Sequence, residues 1–432
     1  RPILDLKKSE DVQQFYDISK ASAELVKRYQ GSLSGEHGDG RVRAAFIPLM
    51  VGEENYALFR RIKHTWDPKG IFNPGKIVDA EPMNTSLRYE PDRAEPKIDT
   101  LMDFSETGGI LRLAEKCNGS GDCRKLPLSG GTMCPSYQAT RNEKDTTRAR
   151  ANTLREFLTQ DQQPNPFDHE EIYEVMDLCL SCKGCTSECP SNVDMSSLKA
   201  EFLHQYYQSH GVPWRAQAFA NINAINRWGA KVPALTNFFL GNKLTSSLIK
   251  SSLGIASKRS LPALGKTTLR QWLNRTYSKW EKPSPLTGEV YLFCDEYTNY
   301  YDVEIGKKAI LLLNQLGYEV LLVEHEESGR AYISKGFLKE AKNIATANVI
   351  QFKKLVSDEV PLIGIEPSAI LSFRDEYINL VDVTLRDEAI KLSKSVFLID
   401  EFLSNEIEAK YINSEMFTKE YEQILLHGHC HQ

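Results

Sequence analysis

The sequence predicts a multidomain α+β chain: a small mixed cap first, an all-helical module built round cysteines next, and an α/β domain on a parallel sheet last. Three observations lead there. Seven of the nine cysteines fall between residues 117 and 189. The segments around them repeat their apolar residues at helical, not strand, spacing. After Val290 short apolar runs alternate with helical ones, the pattern of strand–helix–strand units.

A chain of 432 residues has room for two or three domains with real cores. At 41% hydrophobic and 26% charged it has the composition of an ordinary soluble globular protein. A net charge of −5 leaves no electrostatic footprint for nucleic acid, and no basic run points to an anionic membrane partner. No apolar run reaches the roughly eighteen residues that a membrane span needs. The opening Arg1-Pro2-Ile3-Leu4-Asp5-Leu6 is not a signal peptide, and with no initiating Met the chain reads as a fragment. Cysteines gathered this way point to metal chemistry in a reducing compartment, and so to a cytoplasmic setting.

In chain order, residues 9–30 read as a helix. Ser9 is its expected N-cap, Glu10 and Asp11 suit its first turn, and Gly31 is its stop. The next stretch is Ser34-Gly35-Glu36-His37-Gly38-Asp39-Gly40-Arg41. Its glycines permit close backbone approach to a ligand, and Glu36 with His37 makes a metal-plus-base pair. A solvated glycine turn is the other reading. A second helix runs from about Glu53 to Thr65. The turn-rich Asp67-Pro68-Lys69-Gly70-Ile71-Phe72-Asn73-Pro74-Gly75-Lys76-Ile77 follows it.

The pairing of these two stretches resembles the C-terminal end of FAD-linked 2-hydroxy-acid dehydrogenases. That group includes D-lactate and D-2-hydroxyglutarate dehydrogenases and the glycolate oxidase flavin subunit. The resemblance makes residues 1–79 a remnant of the FAD-oxidase C-terminal cap. It implies that Glu36 helps bind a divalent metal that orients the substrate, and that His37 takes the hydroxyl proton. Gly35, Gly38 and Asn73 would lie against the flavin site. The family's upstream metal motif and its whole FAD-binding domain do not occur in this sequence.

Residues 80–105, with Pro82, Pro91 and Pro96, read as a linker. The block 106–210 holds the cysteines. Cys179, Cys182, Cys185 and Cys189 stand in the spacing C-x2-C-x2-C-x3-C-P, the bacterial ferredoxin run. Two residues between thiolates let a tight loop wrap three corners of one cubane, while the fourth cysteine, followed by Pro190, turns toward another cluster. Zinc knuckles come as pairs set well apart, and disulfides need longer spacings and an oxidising compartment. Cys117, Cys123 and Cys134-Pro135 form a looser echo, one cysteine short. Ordinary buried thiols are the alternative for these three.

Helices expected at 146–158, 168–178 and 195–207 separate and follow the two motifs. The arrangement resembles the α-helical ferredoxin module of succinate-dehydrogenase iron–sulfur subunits and of glycerol-3-phosphate dehydrogenase electron-transfer subunits. That resemblance assigns ligands. Cys134 joins Cys179, Cys182 and Cys185 around one [4Fe–4S]; Cys189 joins Cys117 and Cys123 around a second cluster. The second is [3Fe–4S], or [4Fe–4S] with a fourth ligand for which Asp122 is a candidate.

Residues 211–287 read as a helical connector with many basic residues. Its Trp214, Trp228, Trp272 and Trp280 are expected in the core. In 288–432, strands are expected at 290–293, 319–323 and 360–365, and helices at 305–316 and 337–348. This block resembles the first half of the CCG module of heterodisulfide reductases, on Ser328-Gly329-Arg330-Ala331-Tyr332 and Gly364-Ile365-Glu366-Pro367-Ser368. Glu327-Ser328 stand where that module has a double cysteine, so the resemblance leaves this half as scaffold. The terminal His427, His429, Cys430 and His431 read either as ligands or as a strand running out to a surface turn.

The resemblances together imply FAD- and iron–sulfur-dependent oxidation of a small D-2-hydroxy acid (lactate, 2-hydroxyglutarate or glycolate). Electrons would leave singly to a quinone, a cytochrome or a carrier protein, in the cytoplasm or at the inner face of the membrane. An electron-transfer subunit without oxidase activity and a zinc-stabilised interaction module are the competing classes.

Overall fold

The structure, a computed structural model, describes residues 2–160, 164–281 and 283–418, with 423, 425, 428 and 429 beyond. It divides into two compact units, Arg1–Pro96 and Lys97–Gln432.

The first unit is built on two helices, Ser9–Arg28 and Glu53–Trp66, with the short helix Ile47–Val51 between them. Its two small apolar centres gather Ala23, Phe46 and Met83, and Ala44, Ile47 and Tyr56. Ser9 is not the cap it was expected to be. Lys8 holds that position, and the Ser9 amide donates to Asp92 Oδ1 at 3.1 Å, so a distant carboxylate replaces the local hydroxyl. The left-handed stop also falls one residue early. Gln30 takes φ +54°, and the Gly31 amide donates to the Val26 carbonyl at 2.9 Å.

The second unit opens with an irregular segment drawn into its core, where Met102 and Phe104 are buried. Glu201, fully buried on the helix Met195–His210, accepts the amides of Leu101 and Met102 at 3.0 Å each. The expected helices appear as Thr147–Gln160, Glu170–Asp177 and Met195–His210. Four short helices follow, Trp214–Ala220, Ile222–Gly229, Pro233–Gly241 and Lys243–Ser252, and then Leu269–Arg275. The connector tryptophans are not all core. Trp214 and Trp228 are 56% and 69% exposed, whereas Trp272 packs with Tyr277 and Trp280.

The last block is a four-stranded, all-parallel sheet: β1 Gly288–Phe293, β2 Tyr318–Leu321, β3 Leu362–Gly364 and β4 Val396–Leu398, in the order β2-β1-β3-β4. Register pairs Val290 with Val320, Leu292 with Ile363, and Ile363 with Phe397. β4 went unforeseen because three residues carry little periodic signal. β2 lies on one side of β1 and β3 on the other. Right-handed crossovers therefore put successive helices on opposite faces. Val290 and Leu292 face the helix Val303–Gln315, while Phe293 faces the helix Leu338–Phe352. The second face shares one continuous core with the cysteine-bearing helices, running from Met102 through Phe202 to Phe352 and Leu398. At Gly336, φ +76°, the two come close enough that an added Cβ would stand 2.6 Å from Leu203 Cβ.

Candidate iron–sulfur site

The Cys179–Cys189 run leaves the end of the helix Glu170–Asp177 as a tight loop. Lys199 fixes where it starts. Its ammonium, nearly buried, donates to the carbonyls of Met176 and Cys179, both at 2.7 Å. Ser181 (φ +52°) and Lys183 (φ +60°) both adopt the left-handed conformation, and both are buried. Non-glycine residues persist there only when their surroundings hold them, at a cost of order 1–3 kcal/mol each. Cys185 then sits in the five-residue helix Gly184–Glu188, and Cys189 caps its end with its amide on the Cys185 carbonyl.

Cys134 occupies the N-cap of the helix Pro135–Thr140, with Pro135 in the first turn. Glu188, the residue before Cys189, accepts the amides of Thr132 and Met133, the latter at 3.1 Å. Ser136 Oγ donates to the Leu178 carbonyl at 2.7 Å. These two ties bring the motifs together, and Cys134, Cys179, Cys182 and Cys185 line one small cavity. Among the described residues no three side chains already converge as a metal-ligand set. Burial pushes the Cys123 thiol up, and the neighbouring Cys117 adds to that shift, so the two stand close together.

The donor set fits an iron–sulfur cluster. Burial, followed by Asp194, Cys179 and Cys182, drives the Cys185 thiol far above its ordinary range, so thiolates there need cationic compensation. Arg150 lines the same cavity. It is fully buried, donates Nη1 to Cys134 Sγ at 3.5 Å and Nε to the Val175 carbonyl at 2.7 Å, and leaves Nη2 without a partner. A buried guanidinium with an unused donor suits a sulfide-bearing anion, and bonds to sulfur are one lever on cluster potential.

Lys183 carries a second buried charge network. Its ammonium pairs with Asp375 and, at 2.7 Å, with Glu376, which also pairs with Arg330. Burial alone would raise the Glu376 carboxyl; Arg330 and Lys183 outweigh it and hold the group well below its ordinary range. The cysteine loop is thereby tied to the sheet domain. The position of the absent double cysteine is structural here. Ser328, fully buried, donates its amide and hydroxyl to Glu296 at 2.9 and 2.5 Å.

In the first unit, Glu36 and His37 stand on an exposed loop, with His37 Nε2 3.7 Å from Glu36 Oε2. Gly38, at φ +74°, offers its carbonyl to Arg43 Nη1 at 3.0 Å. Gly35 has open space where a side chain would stand. Asn73 (φ +48°) lies in the exposed loop that Asp67 organises by accepting the amides of Ile71 and Phe72, each at 2.8 Å. The two stretches meet. Arg41 and Val42 from one, with Pro74, Gly75 and Lys76 from the other, line a cavity of about 430 Å³. Glu36, His37 and Asn73 lie outside its lining. His427, Cys430 and His431 fall outside the described residues, while His429 Nε2 stands 3.6 Å from Glu366 Oε1.

Sequence reasoning missed Arg150, Lys199 and the partners of Lys183. The first two carried a signal. Arg150 falls on the buried stripe of Leu154 and Leu158, and Lys199 on that of Met195, Phe202 and Leu203.

Residues 1–77 match the family model of FAD linked oxidases, C-terminal domain, and residues 116–194 match the 4Fe-4S dicluster domain. The chain joins an FAD-linked-oxidase C-terminal domain to a 4Fe–4S dicluster domain. Relatives named D-2-hydroxyglutarate dehydrogenase match most of it. The Haemophilus influenzae protein is 30% identical over 87% of this chain and 40% of its own length. The Escherichia coli K12 protein is 26% identical over 100% of this chain and 45% of its own. The chain thus spans less than half the length of these relatives. One subunit of the anaerobic glycerol-3-phosphate dehydrogenase of Escherichia coli K12 is 27% identical over 33% of this chain and 35% of its own length. No solved structure matches the chain.

Proposed function

We propose that this chain supplies the iron–sulfur relay and one wall of the substrate site of an FAD-dependent D-2-hydroxy-acid dehydrogenase. D-2-hydroxyglutarate leads the candidate substrates on the relatives' names, with D-lactate and glycolate behind it. The observation that carries the reading is the cavity shared by Cys134, Cys179, Cys182 and Cys185 beside the half-used guanidinium of Arg150. These four cysteines would hold one [4Fe–4S]. Cys117, Cys123 and Cys189 would hold a second cluster, either [3Fe–4S] or, with Asp122 as fourth ligand, [4Fe–4S]. A bound flavin would supply hydride acceptance, and clusters held by these cysteines would supply one-electron transfer. His37 would take the substrate's hydroxyl proton, and Glu36 would contribute to a divalent metal that orients the substrate. The acceptor would be a quinone, a cytochrome or a carrier protein. The likeness to the glycerol-3-phosphate dehydrogenase subunit favours a second reading, an electron-transfer chain without its own substrate site.

Anaerobic purification tests the relay. The chain should be brown and carry about seven or eight irons with acid-labile sulfide. Cys182→Ala should lose about four of them, the content of one cubane. Cys294→Ala should lose none, because Cys294 lies buried just past β1 with its amide on His325. Stoichiometric zinc without sulfide, or equal iron loss in both variants, would overturn the assignment.

A further inference from the structure

The connector after the cysteine module has a charge pattern that the whole-chain total conceals. Between Gly211 and Trp280 there is no aspartate or glutamate and there are eleven lysines and arginines, in a chain whose net charge is −5. Among the described residues only Arg270 of these eleven forms an ion pair, with Glu324 at 2.7 Å. The same helices turn apolar side chains outward. Phe238 is 61% exposed, Leu244 78% and Leu248 72%, alongside Trp214 and Trp228, and the helix Pro233–Gly241 buries no residue at all. Leu244 and Leu248 lie one turn apart on one face. The four helices hold each other. Arg215 Nε donates to the Leu253 carbonyl at 2.7 Å, joining the first helix to the end of the fourth, and Thr236 Oγ1 donates to the Gly229 carbonyl at 3.0 Å. Lys231 Nζ sits 3.7 Å above the Trp228 ring.

A helix that meets only water keeps its large apolar residues inside. Exposed Trp, Phe and Leu among unpaired cations make up an interfacial surface, where apolar side chains enter the headgroup boundary and lysines reach anionic headgroups. We propose that residues 214–258 dock this chain on the surface of an anionic lipid bilayer. A nucleic acid would use the cations but not Leu244, Leu248 and Phe238. A covering protein domain would use the apolar residues but leave the cations unmatched unless it were acidic. The helix Trp214–Ala220 also lines, through Arg215 and Phe219, a cavity of about 360 Å³ that Cys179 and Ser181 line too. Docking therefore sets the cysteine loop beside the lipid phase. This consequence rests on the relay proposed above; the docking itself does not.

Sedimentation with vesicles tests it without any cluster chemistry. The chain should bind vesicles of phosphatidylglycerol and phosphatidylethanolamine at about 0.1 M salt, and pure phosphatidylcholine far less. The triple variant Lys231→Glu, Lys243→Glu, Lys258→Glu should lower partitioning about a hundredfold, because each cation near the surface is worth about fivefold. Leu244→Ser with Leu248→Ser, both well exposed, should weaken binding while leaving the fold and the salt dependence intact. No binding to the anionic vesicles, indifference to both variants, preference for polyuridylate over vesicles, or binding by the chain but not by the full-length protein would overturn the proposal.

Discussion

His37 shows how little a catalytic assignment needs from this chain alone. Its ring is 79% exposed, with Glu36 Oε2 at 3.7 Å from its Nε2. The expectation concerns the flavoprotein proposed above. There His37→Ala should lower turnover on D-2-hydroxyglutarate by about two to four orders of magnitude, the usual loss on removing a general base. Near-normal dye reduction by the variant would leave the Glu36–His37 turn a structural feature. Asp67 is a residue whose setting is already built. The hydrogen bond from Lys63, with the amides of Ile71 and Phe72, holds its carboxyl down at about 2. An unfolded aspartate ionises near ~3.9, so the stabilisation Asp67 gives the Asn73 loop is fully present above that value. It is lost as pH falls through about 2. Proteolysis within residues 68–76 should stay slow from neutrality down to about pH 4, whereas Asp67→Asn should be cut there at neutral pH. Equal cutting rates would mean that the loop does not depend on this carboxylate. The match of residues 116–194 to a 4Fe-4S dicluster domain was legible because cysteine spacing is local in sequence. The partners of Lys183 were not, since Asp375 lies 192 residues away and no periodicity links the two.

At the scale of elements, the cysteine loop and the helix Glu376–Leu380 meet through charge. Lys183, Arg330 and Glu376 are each less than a tenth exposed, and the two cations face two carboxylates. Removing one member strands a buried charge. Lys183→Met or Glu376→Gln should each cost about 3–5 kcal/mol, whereas the double variant, which leaves Arg330 with Asp375, should cost less than the two singles added. Additive losses in urea melts would show that the four do not act as a unit. Long helices were readable from their apolar stripes, and their observed ends differ from expectation by a few residues. The left-handed Ser181 and Lys183 were beyond reach, because the tertiary contacts that hold them are absent from local sequence. The exposed connector was misread for a related reason. Aromatic content says that a surface is apolar, not which way it faces.

For the whole molecule, the alternation after Val290 disclosed the parallel sheet, whereas the sum of charges hid a basic region inside an acidic chain. The core common to the cysteine helices and one face of the sheet has a practical consequence. Where two folded bodies share a single interior, a scissor has no place to work between them. A gene truncated at residue 287 would leave Leu203 facing water where Gly336 had been and would cut the shared core in two, and the product should collect in inclusion bodies. Limited trypsin digestion of the intact chain should behave differently, cutting near Arg93 and Lys97 and leaving residues 97–418 as one resistant piece. A stable fragment ending near residue 287 would mean that the two halves can be inherited, exchanged and expressed apart. With their interior interlocked, a change of volume on one side should instead need a compensating change on the other.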